Sequence, residues 1–178
     1  ELFSRLILKI LKNRSYSLLQ HPRSNIGKNL KFGDFCTFAL YPKMKKFTVG
    51  ENVTLRNYIN ILVADNAELI INNQVFMNNY CSLNVLEKVE IGENTLFGEG
   101  VKIYDHNHEY SSQKVQTQQF KTAPVKIGKN CWLGSNVTVL KGVTIGDHVI
   151  IGAGSTVYKD IPAGSVLVNE QKLKNINT

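Results

Sequence analysis

An aliphatic residue or its equivalent recurs every six positions along the C-terminal half of this chain. The series is Ile127, Leu133, Val139, Ile145, Ile151, Val157 and Ala163. A second small or apolar residue follows each opener by four positions. The residues at three positions after the openers are of types that tolerate positive φ: Asn130, Asn136, Gly142, His148, Gly154 and Asp160. Amphipathic strands of a flat sheet repeat every two residues, so the period of six predicts short strands joined by corners, three to a coil, stacked into an all-β parallel β-helix.

The same repeat runs upstream with insertions. Its openers are Ile26, Phe32, Phe38, Val49, Leu55, Ile61, Ile71, Met77, Leu83, Ile91, Phe97 and Ile103. The spacing from Ile91 to Ile127 is that of two coils, which predicts a polar loop extruded from about His106 to Pro124. A polar loop projecting from a rigid scaffold commonly carries function.

The three cysteines, Cys36, Cys81 and Cys131, all occupy the inward position four residues after an opener. They show no metal-ligand spacing, so we interpret them as small core residues of a protein in a reducing compartment.

The composition fits one folded domain. The chain has 178 residues, of which 43% are hydrophobic, and a formal net charge of +7. That apolar fraction excludes a wholly disordered chain. The positive charge fits either a solvated basic surface or a polyanionic partner. No aromatic-basic nucleic-acid module is present, so nucleic acid is not expected as a partner.

The N-terminal segment, residues 1–22, has the apolar spacing of a short amphipathic helix and several basic residues. The apolar positions with helical spacing run only from Leu2 to Leu11, a stretch far shorter than the roughly 20 apolar residues that a membrane span needs. Two interpretations stay open, a helix packed on the end of the domain and a helix resting on an anionic membrane surface. The predicted organisation is therefore this segment, a β-helix over residues 23–166 and a tail over residues 167–178.

Two stretches carry a resemblance to a known family. They are IGKNCWLGSNVTVLKGVTIGDHVIIGAGSTVYKDIPAG, from Ile127 to Gly164, and LFGEGVKIYDHNHEY, from Leu96 to Tyr110. The chain resembles the hexapeptide-repeat acyltransferases, and within them the sugar and polysaccharide O-acetyltransferases. The resemblance implies a left-handed β-helix and a cytoplasmic homotrimer that binds acetyl-coenzyme A between neighbouring subunits. The implied reaction acetylates a sugar or oligosaccharide hydroxyl in capsule or lipopolysaccharide synthesis, with no metal.

The predicted general base is His106, which lies at the corner position three residues after Ile103, the place that His148 takes in a later repeat, just where the loop leaves the coil. By resemblance it matches the catalytic histidine of the family. A neutral imidazole can take the hydroxyl proton during direct attack on the thioester in a ternary complex. His108 is the alternative base. Asp105 could orient His106 or contact the sugar, although its sequence context favours a solvated loop carboxylate. The other predicted sugar contacts are Tyr104, Asn78 and Asn84.

The coenzyme is expected to contact the late coils. Trp132, at an outward position, lines the cleft near the thioester by resemblance, and otherwise makes a trimer contact. The backbone N–H of Ser135 matches the family's oxyanion donor. The remaining candidates for coenzyme binding are Gly134, Lys141, Ala153, Gly154 and Lys159.

Several other functions compete with sugar O-acetylation. Within acyl transfer, the alternatives are an N-acetyltransferase of an amino-sugar nucleotide and an antibiotic acetyltransferase. The same fold hosts zinc carbonic anhydrases, for which the His-x-His pair at His106 and His108 is the relevant feature. A non-catalytic solenoid would present a flat, regular outer face, which Trp132, Lys141 and the long loop interrupt.

Overall fold

All the named elements are β-strands in this computed structural model, which describes residues 19–169. In chain order they are β1 (Ser24–Ile26), β2 (Lys31–Phe32), β3 (Thr37–Leu40), β4 (Lys46–Val49), β5 (Thr54–Leu55), β6 (Asn60–Val63), β7 (Glu68–Ile71), β8 (Phe76–Met77), β9 (Ser82–Val85), β10 (Lys88–Ile91), β11 (Leu96–Phe97), β12 (Lys102–Tyr104), β13 (His106–Tyr110), β14 (Val115–Thr122), β15 (Val125–Ile127), β16 (Trp132–Leu133), β17 (Thr138–Val139), β18 (Thr144–Ile145), β19 (Ile150–Ile151), β20 (Thr156–Val157) and β21 (Val166–Leu167). The predicted N-terminal helix and most of the predicted tail lie outside the described residues. Within residues 19–169, no helix is long and apolar enough to cross a membrane.

Three parallel sheets form the faces of a solenoid. The first sheet has the order β1-β4-β7-β10-β15-β18, the second β2-β5-β8-β11-β16-β19-β21, and the third β3-β6-β9-β12-β17-β20. Each full coil contributes one strand to each sheet, so every strand hydrogen-bonds to the coils below and above it. The parallel β-helix predicted from the repeat is confirmed.

The openers of the repeat fill the interior. In the third sheet Ile61, Leu83, Ile103 and Val139 lie directly above one another and are fully buried. The three cysteines are also buried. Each thiol donates to a carbonyl of a neighbouring coil, as Cys131 Sγ does to the oxygen of Gly146 at 3.2 Å. The inward positions predicted for the cysteines are therefore confirmed.

The corners follow the predicted residue types in the regular coils. Positive φ is found at Asn130, Asn136, Gly142, His148 and Gly154, as expected. We call the turn from the second to the third sheet the second corner. Its consecutive residue pairs are Asp34–Phe35, Asn57–Tyr58, Asn79–Tyr80, Glu99–Gly100, Ser135–Asn136 and Ala153–Gly154, linked from coil to coil by backbone hydrogen bonds. The turn from the third sheet back to the first is the third corner.

The last coil is shorter than the sequence repeat suggests. Ile145 pairs with Ile161 and Ile151 pairs with Leu167, a separation of 16 residues in each case. Ala163 was expected to continue the inward series, but it is exposed. The left-handed residue of this coil is Gly164, with φ of 72°, and not Asp160. Because the turn with positive φ lies at Gly164 instead of Asp160, the six-residue spacing does not hold in the last coil.

The extruded segment is a β-hairpin that leaves the third corner. Strands β13 and β14 pair antiparallel, with His106 opposite Thr122 and His108 opposite Phe120. The backbone N–H of Ala123 donates to the oxygen of Asp105 at 2.9 Å and closes the base of the hairpin. Above and below it the solenoid stays in register, since Ile103 pairs with Val139.

Candidate active site

His106 lies at the base of the hairpin, where the chain leaves the third sheet. Its side chain is 15% exposed, so it is held by neighbours and still reachable from solvent. Unlike His148, it does not have a positive φ. The expectation that His106 is a corner residue equivalent to His148 is wrong, because the chain continues into strand β13 instead of turning.

Asp105 is fully buried beside it. Its carboxylate accepts hydrogen bonds from the backbone N–H groups of Leu86, at 2.9 and 3.1 Å, and of Glu87, at 2.8 Å. The expectation of a solvated loop carboxylate is wrong. Because these bonds occupy the carboxylate within the coil, Asp105 has no exposed surface with which to contact a sugar.

The other expected role of Asp105, orienting His106, fits the geometry. Asp105 Oδ1 lies 3.1 Å from Nδ1 of His106. An ionised carboxylate can only accept, so Nδ1 carries the proton and Nε2 keeps its lone pair. This arrangement fixes the tautomer that a general base needs and orients the ring.

His108, the alternative base, is exposed, and its Nδ1 lies 2.9 Å from the carbonyl oxygen of Gln116. Phe120 contacts both imidazoles. Its ring centroid is 5.3 Å from that of His106, edge to face, and 4.6 Å from that of His108. Sequence reasoning missed Phe120, and its only signal was an aromatic residue in an otherwise polar loop. His106 is thus the more rigidly held of the two bases.

Tyr104 and Asn84 lie on the same side as His106. Tyr104 precedes Asp105 at the end of β12, and its ring contacts His106 edge to face at 6.1 Å. Asn84 pairs with Tyr104 one coil below. Asn78, in contrast, follows β8 on the approach to the second corner, so the structure separates it from His106.

The two candidate lysines also lie at the third corner. Lys141 is half-buried just before Gly142, whose N–H donates to Ala123 at the hairpin base. Lys159 follows β20, with Nζ 5.7 Å from the ring centroid of Tyr158. Both ammonium groups therefore belong to the His106 side and are separated from Ala153 and Gly154.

Trp132 lies on the outer face of the second sheet. Its side chain is 53% exposed, which confirms the predicted outward orientation. It stands between Leu96 below and Ile150 above, and Val166 continues the row in the last coil. These exposed apolar side chains form a stripe that runs along the solenoid.

At the second corner, the hydrogen bonding of the backbone differs between the early coils and the coil of Ser135. In the early coils asparagine side chains cap the backbone, as when Asp34 N–H donates to Asn57 Oδ1 and Asn57 N–H to Asn79 Oδ1. The coil above Ser135 has Ala153 at the capping position, and alanine has no acceptor. Among the described residues the N–H of Ser135 has no partner. An unpaired donor at this position is what an oxyanion site requires.

The candidate residues therefore form two groups in one chain. The His106 group comprises Asn84, Tyr104, Asp105, His106, Lys141 and Lys159, at the third corner. The Trp132 group comprises Asn78, Trp132, Gly134, Ser135, Ala153 and Gly154, on the second sheet and second corner. The five-residue step from Gly100 to Asp105 across the third sheet separates them by about 16 Å. Within residues 19–169, no three His, Cys, Asp or Glu side chains are placed to hold a metal ion together.

Comparison with known proteins agrees with this architecture. The sequence model of the family described as bacterial transferase hexapeptide (six repeats) matches residues 124–159. The chain is 34% identical over 127 residues to WbbJ of Escherichia coli K12, named as a lipopolysaccharide biosynthesis O-acetyl transferase, covering 66% of this chain and 65% of WbbJ. The chain belongs to the hexapeptide-repeat acyltransferase superfamily. The predicted fold class, the left-handed parallel β-helix, is thereby confirmed.

Two further relatives of this hexapeptide-repeat protein are informative. It is 35% identical over 121 residues to the galactoside O-acetyltransferase of E. coli K12, covering 67% of this chain and 58% of that enzyme. It superposes on the Bacillus cereus N-acyltransferase AntD, solved with dTDP and coenzyme A, with a TM-score of 0.67. That identity is 20%, with 85% of this chain and 82% of AntD covered, so AntD supports the fold alone. The chain spans less than two thirds of the length of WbbJ and of the galactoside enzyme.

Proposed function

We propose that this protein transfers an acetyl group from acetyl-coenzyme A to a hydroxyl of a sugar in surface polysaccharide synthesis. The observation that carries the proposal is the Asp105–His106 pair, because it leaves a reachable Nε2 lone pair at the base of a projecting hairpin. The O-acetyl transfer named for WbbJ and for the galactoside enzyme supports the reaction class.

The proposed chemistry needs no covalent enzyme intermediate. His106 Nε2 takes the proton of the sugar hydroxyl as its oxygen attacks the thioester carbonyl. The Ser135 N–H donates to the resulting oxyanion, the C–S bond breaks, and the thiolate of coenzyme A takes the proton from His106. A positioned base contributes about 10²- to 10⁴-fold, and one oxyanion donor about 2.7–4 kcal/mol.

One chain cannot supply both groups to one thioester. The reacting carbonyl must lie within hydrogen-bond distance of Ser135 and, through the sugar hydroxyl, close to His106, yet these groups are about 16 Å apart in one chain. We therefore propose a cyclic homotrimer in which the His106 group of one subunit faces the Trp132 group of its neighbour. The exposed stripe at Leu96, Trp132 and Ile150 supplies apolar surface for this contact and for the pantetheine arm.

The test compares three histidine variants by thiol release, with sugars, sugar nucleotides, amino-sugar nucleotides and oligosaccharides as acceptors. We expect His106→Ala to lower turnover by about 10²-fold or more, with unchanged coenzyme affinity. His108→Ala should have a smaller effect, through disorder of the hairpin. His148→Ala, an exposed corner residue away from the hairpin, is the control and should be neutral.

Three results would contradict the proposal. Normal turnover in His106→Ala with loss in His108→Ala would make His108 the base. Normal turnover in both variants would exclude general-base catalysis by the hairpin. Transfer only to amino sugars would change the product from an ester to an amide.

A further inference from the structure

Three aromatic side chains stack along the second corner of the early coils. The ring centroids of Phe35 and Tyr58 are 5.1 Å apart at an interplanar angle of 7°, and those of Tyr58 and Tyr80 are 4.8 Å apart at 8°. Each ring is at least 43% exposed. The three residues thus form a ladder, one ring per coil, on the outside of the solenoid.

The residue types are unusual for these backbone positions. Phe35, Tyr58 and Tyr80 have φ between 57° and 62°, a conformation that costs free energy for bulky residues. Elsewhere in the described chain, the non-glycine residues with positive φ are Asn29, Asn52, Asn66, Gln74, Asn94, Asn130, Asn136 and His148. All three aromatic exceptions fall on one corner, so the ladder is a local feature and not a property of the repeat.

The ladder ends at Tyr80 because the next coil has Gly100 at this position. Gly100 has φ of 70°, and a Cβ there would lie 2.4 Å from Oδ1 of Asn136. No side chain at position 100 can cover Tyr80, and among the described residues no ring stacks on its second face. Tyr80 is 54% exposed, more than the enclosed Tyr58.

Polar groups lie on residues of this corner and of the coils that follow Tyr80. The amide of Asn136 projects toward Gly100. Asn78 accepts the N–H of Asn79 through Oδ1, which leaves its Nδ2 without a partner in the described part of the chain. Lys102 Nζ lies 3.0 Å from the carbonyl oxygen of Gly100. An aromatic face edged by amide and ammonium donors matches the amphipathic surface of a sugar ring, which has apolar C–H faces and hydroxyls at its edge.

We propose that the face of Tyr80 is a stacking subsite for a pyranose ring of the acceptor, away from the hydroxyl that reacts. This inference rests on the proposed function, since it extends the acceptor site along the corner that also carries Ser135. Glu99 is exposed beside Gly100 and places a carboxylate at this level. Its negative charge disfavours the phosphorylated adenosine of coenzyme A, the other ring that could stack here. The subsite implies an acceptor of at least two sugar units.

The experiment is saturation-transfer NMR on the whole chain, with lactose, maltotriose, cellotriose and free coenzyme A as separate probes and no acetyl donor. We expect signals from ring C–H protons with the native protein and a Kd raised about tenfold in Tyr80→Ala, the scale of one stacked ring. Tyr80→Phe keeps the face and should keep the signals. Phe35→Ala removes a ring from the other end of the ladder, so it controls for lost stacking and should bind normally.

Three outcomes would overturn the subsite. They are equal binding by Tyr80→Ala and the native chain, no saturation transfer from any of the three sugars, and loss of adenine signals from coenzyme A in Tyr80→Ala. Binding is read without catalysis, so the two proposals fail separately. Sugar binding that persists in a chain unable to transfer acetyl would contradict the proposed function and keep the subsite.

Discussion

Replacing Asp105 with Asn should disable His106 without removing it. The carboxylate accepts from two backbone N–H groups and from His106 Nδ1. An amide of the same shape presents an NH₂ group in place of one acceptor oxygen. If that group faces His106, the favoured tautomer puts the proton on Nε2, where the base needs a lone pair. If it faces Leu86 or Glu87 instead, two donors oppose each other inside the coil.

The magnitude follows from the two alternatives. Loss of the correct tautomer costs up to about 10⁴-fold in turnover where it has been isolated in a serine protease. We expect about 10²- to 10⁴-fold here. A backbone N–H left unpaired in the buried coil costs about 1–3 kcal/mol of folding stability. The variant should therefore melt at a lower temperature and bind acetyl-coenzyme A normally while folded.

The assay is a double-mutant cycle on turnover, measured by thiol release below the melting temperature of every variant. Since Asp105 acts through His106, the double variant should be no slower than His106→Ala alone. Asp105→Glu is the conservative variant: it keeps the charge but changes the distance, and it should restore part of the activity. A purely structural role would lower stability in all backgrounds and leave turnover of the folded enzyme unchanged.

The reasoning would be refuted by near-normal turnover of folded Asp105→Asn. It would be refuted equally if the losses of the two single variants multiplied in the double variant, because the residues would then act independently.

Three other predictions follow from the described features. Light scattering at micromolar concentration should give about three times the 20.0 kDa chain mass, and an active monomer would contradict the shared site. Acetyl-coenzyme A should raise the melting temperature and chelators should leave activity intact, whereas a shift produced by zinc alone would favour the hydrase alternative. Burial raises the pKa of the Cys81 thiol from 9.0 to about 11. The unfolded thiol ionises first, so stability should fall by about 2 kcal/mol as pH rises from 9 to 11, and Cys81→Ala should show a shallower fall in pH-dependent melting.

The β-helix itself was predictable, because the inward residues alone specify it. A column such as Ile61, Leu83 and Ile103 needs only apolar side chains at a constant offset, and that offset is visible in the sequence. The shortened last coil was not predictable from the count of six. Ala163 lies at the expected six-residue spacing, whereas Ile161 supplies the aliphatic side chain that the interior needs. Only the backbone pairing of Ile145 with Ile161 shows which of the two continues the inward series.

The burial of Asp105 could have been read from alternation. Val63 and Val85 fill the inward place two residues after Ile61 and Leu83, and Asp105 occupies the same place after Ile103. A carboxylate at an inward position needs donors, and its neighbour on the outward side is His106. The orientation of the Phe120 ring could not be read in this way, since it depends on hairpin register.

The N–H of Ser135 has two alternative uses. A capping side chain on the next coil would stabilise the fold, whereas an uncapped N–H can donate to a ligand. In the early coils asparagine side chains accept the backbone N–H groups of Asp34 and Asn57 at the second corner, so these donors are not available to a ligand. Ala153→Asn would cap the N–H of Ser135 in the same way, because its amide oxygen would accept that N–H as Asn57 Oδ1 accepts the N–H of Asp34. We expect this variant to melt at a higher temperature and to turn over more slowly, because the new side chain would occupy the N–H that the proposed mechanism assigns to the oxyanion. On the proposed mechanism, Ala153 leaves the hydrogen bond of the Ser135 N–H to the substrate and forgoes the stability that a capping side chain would add.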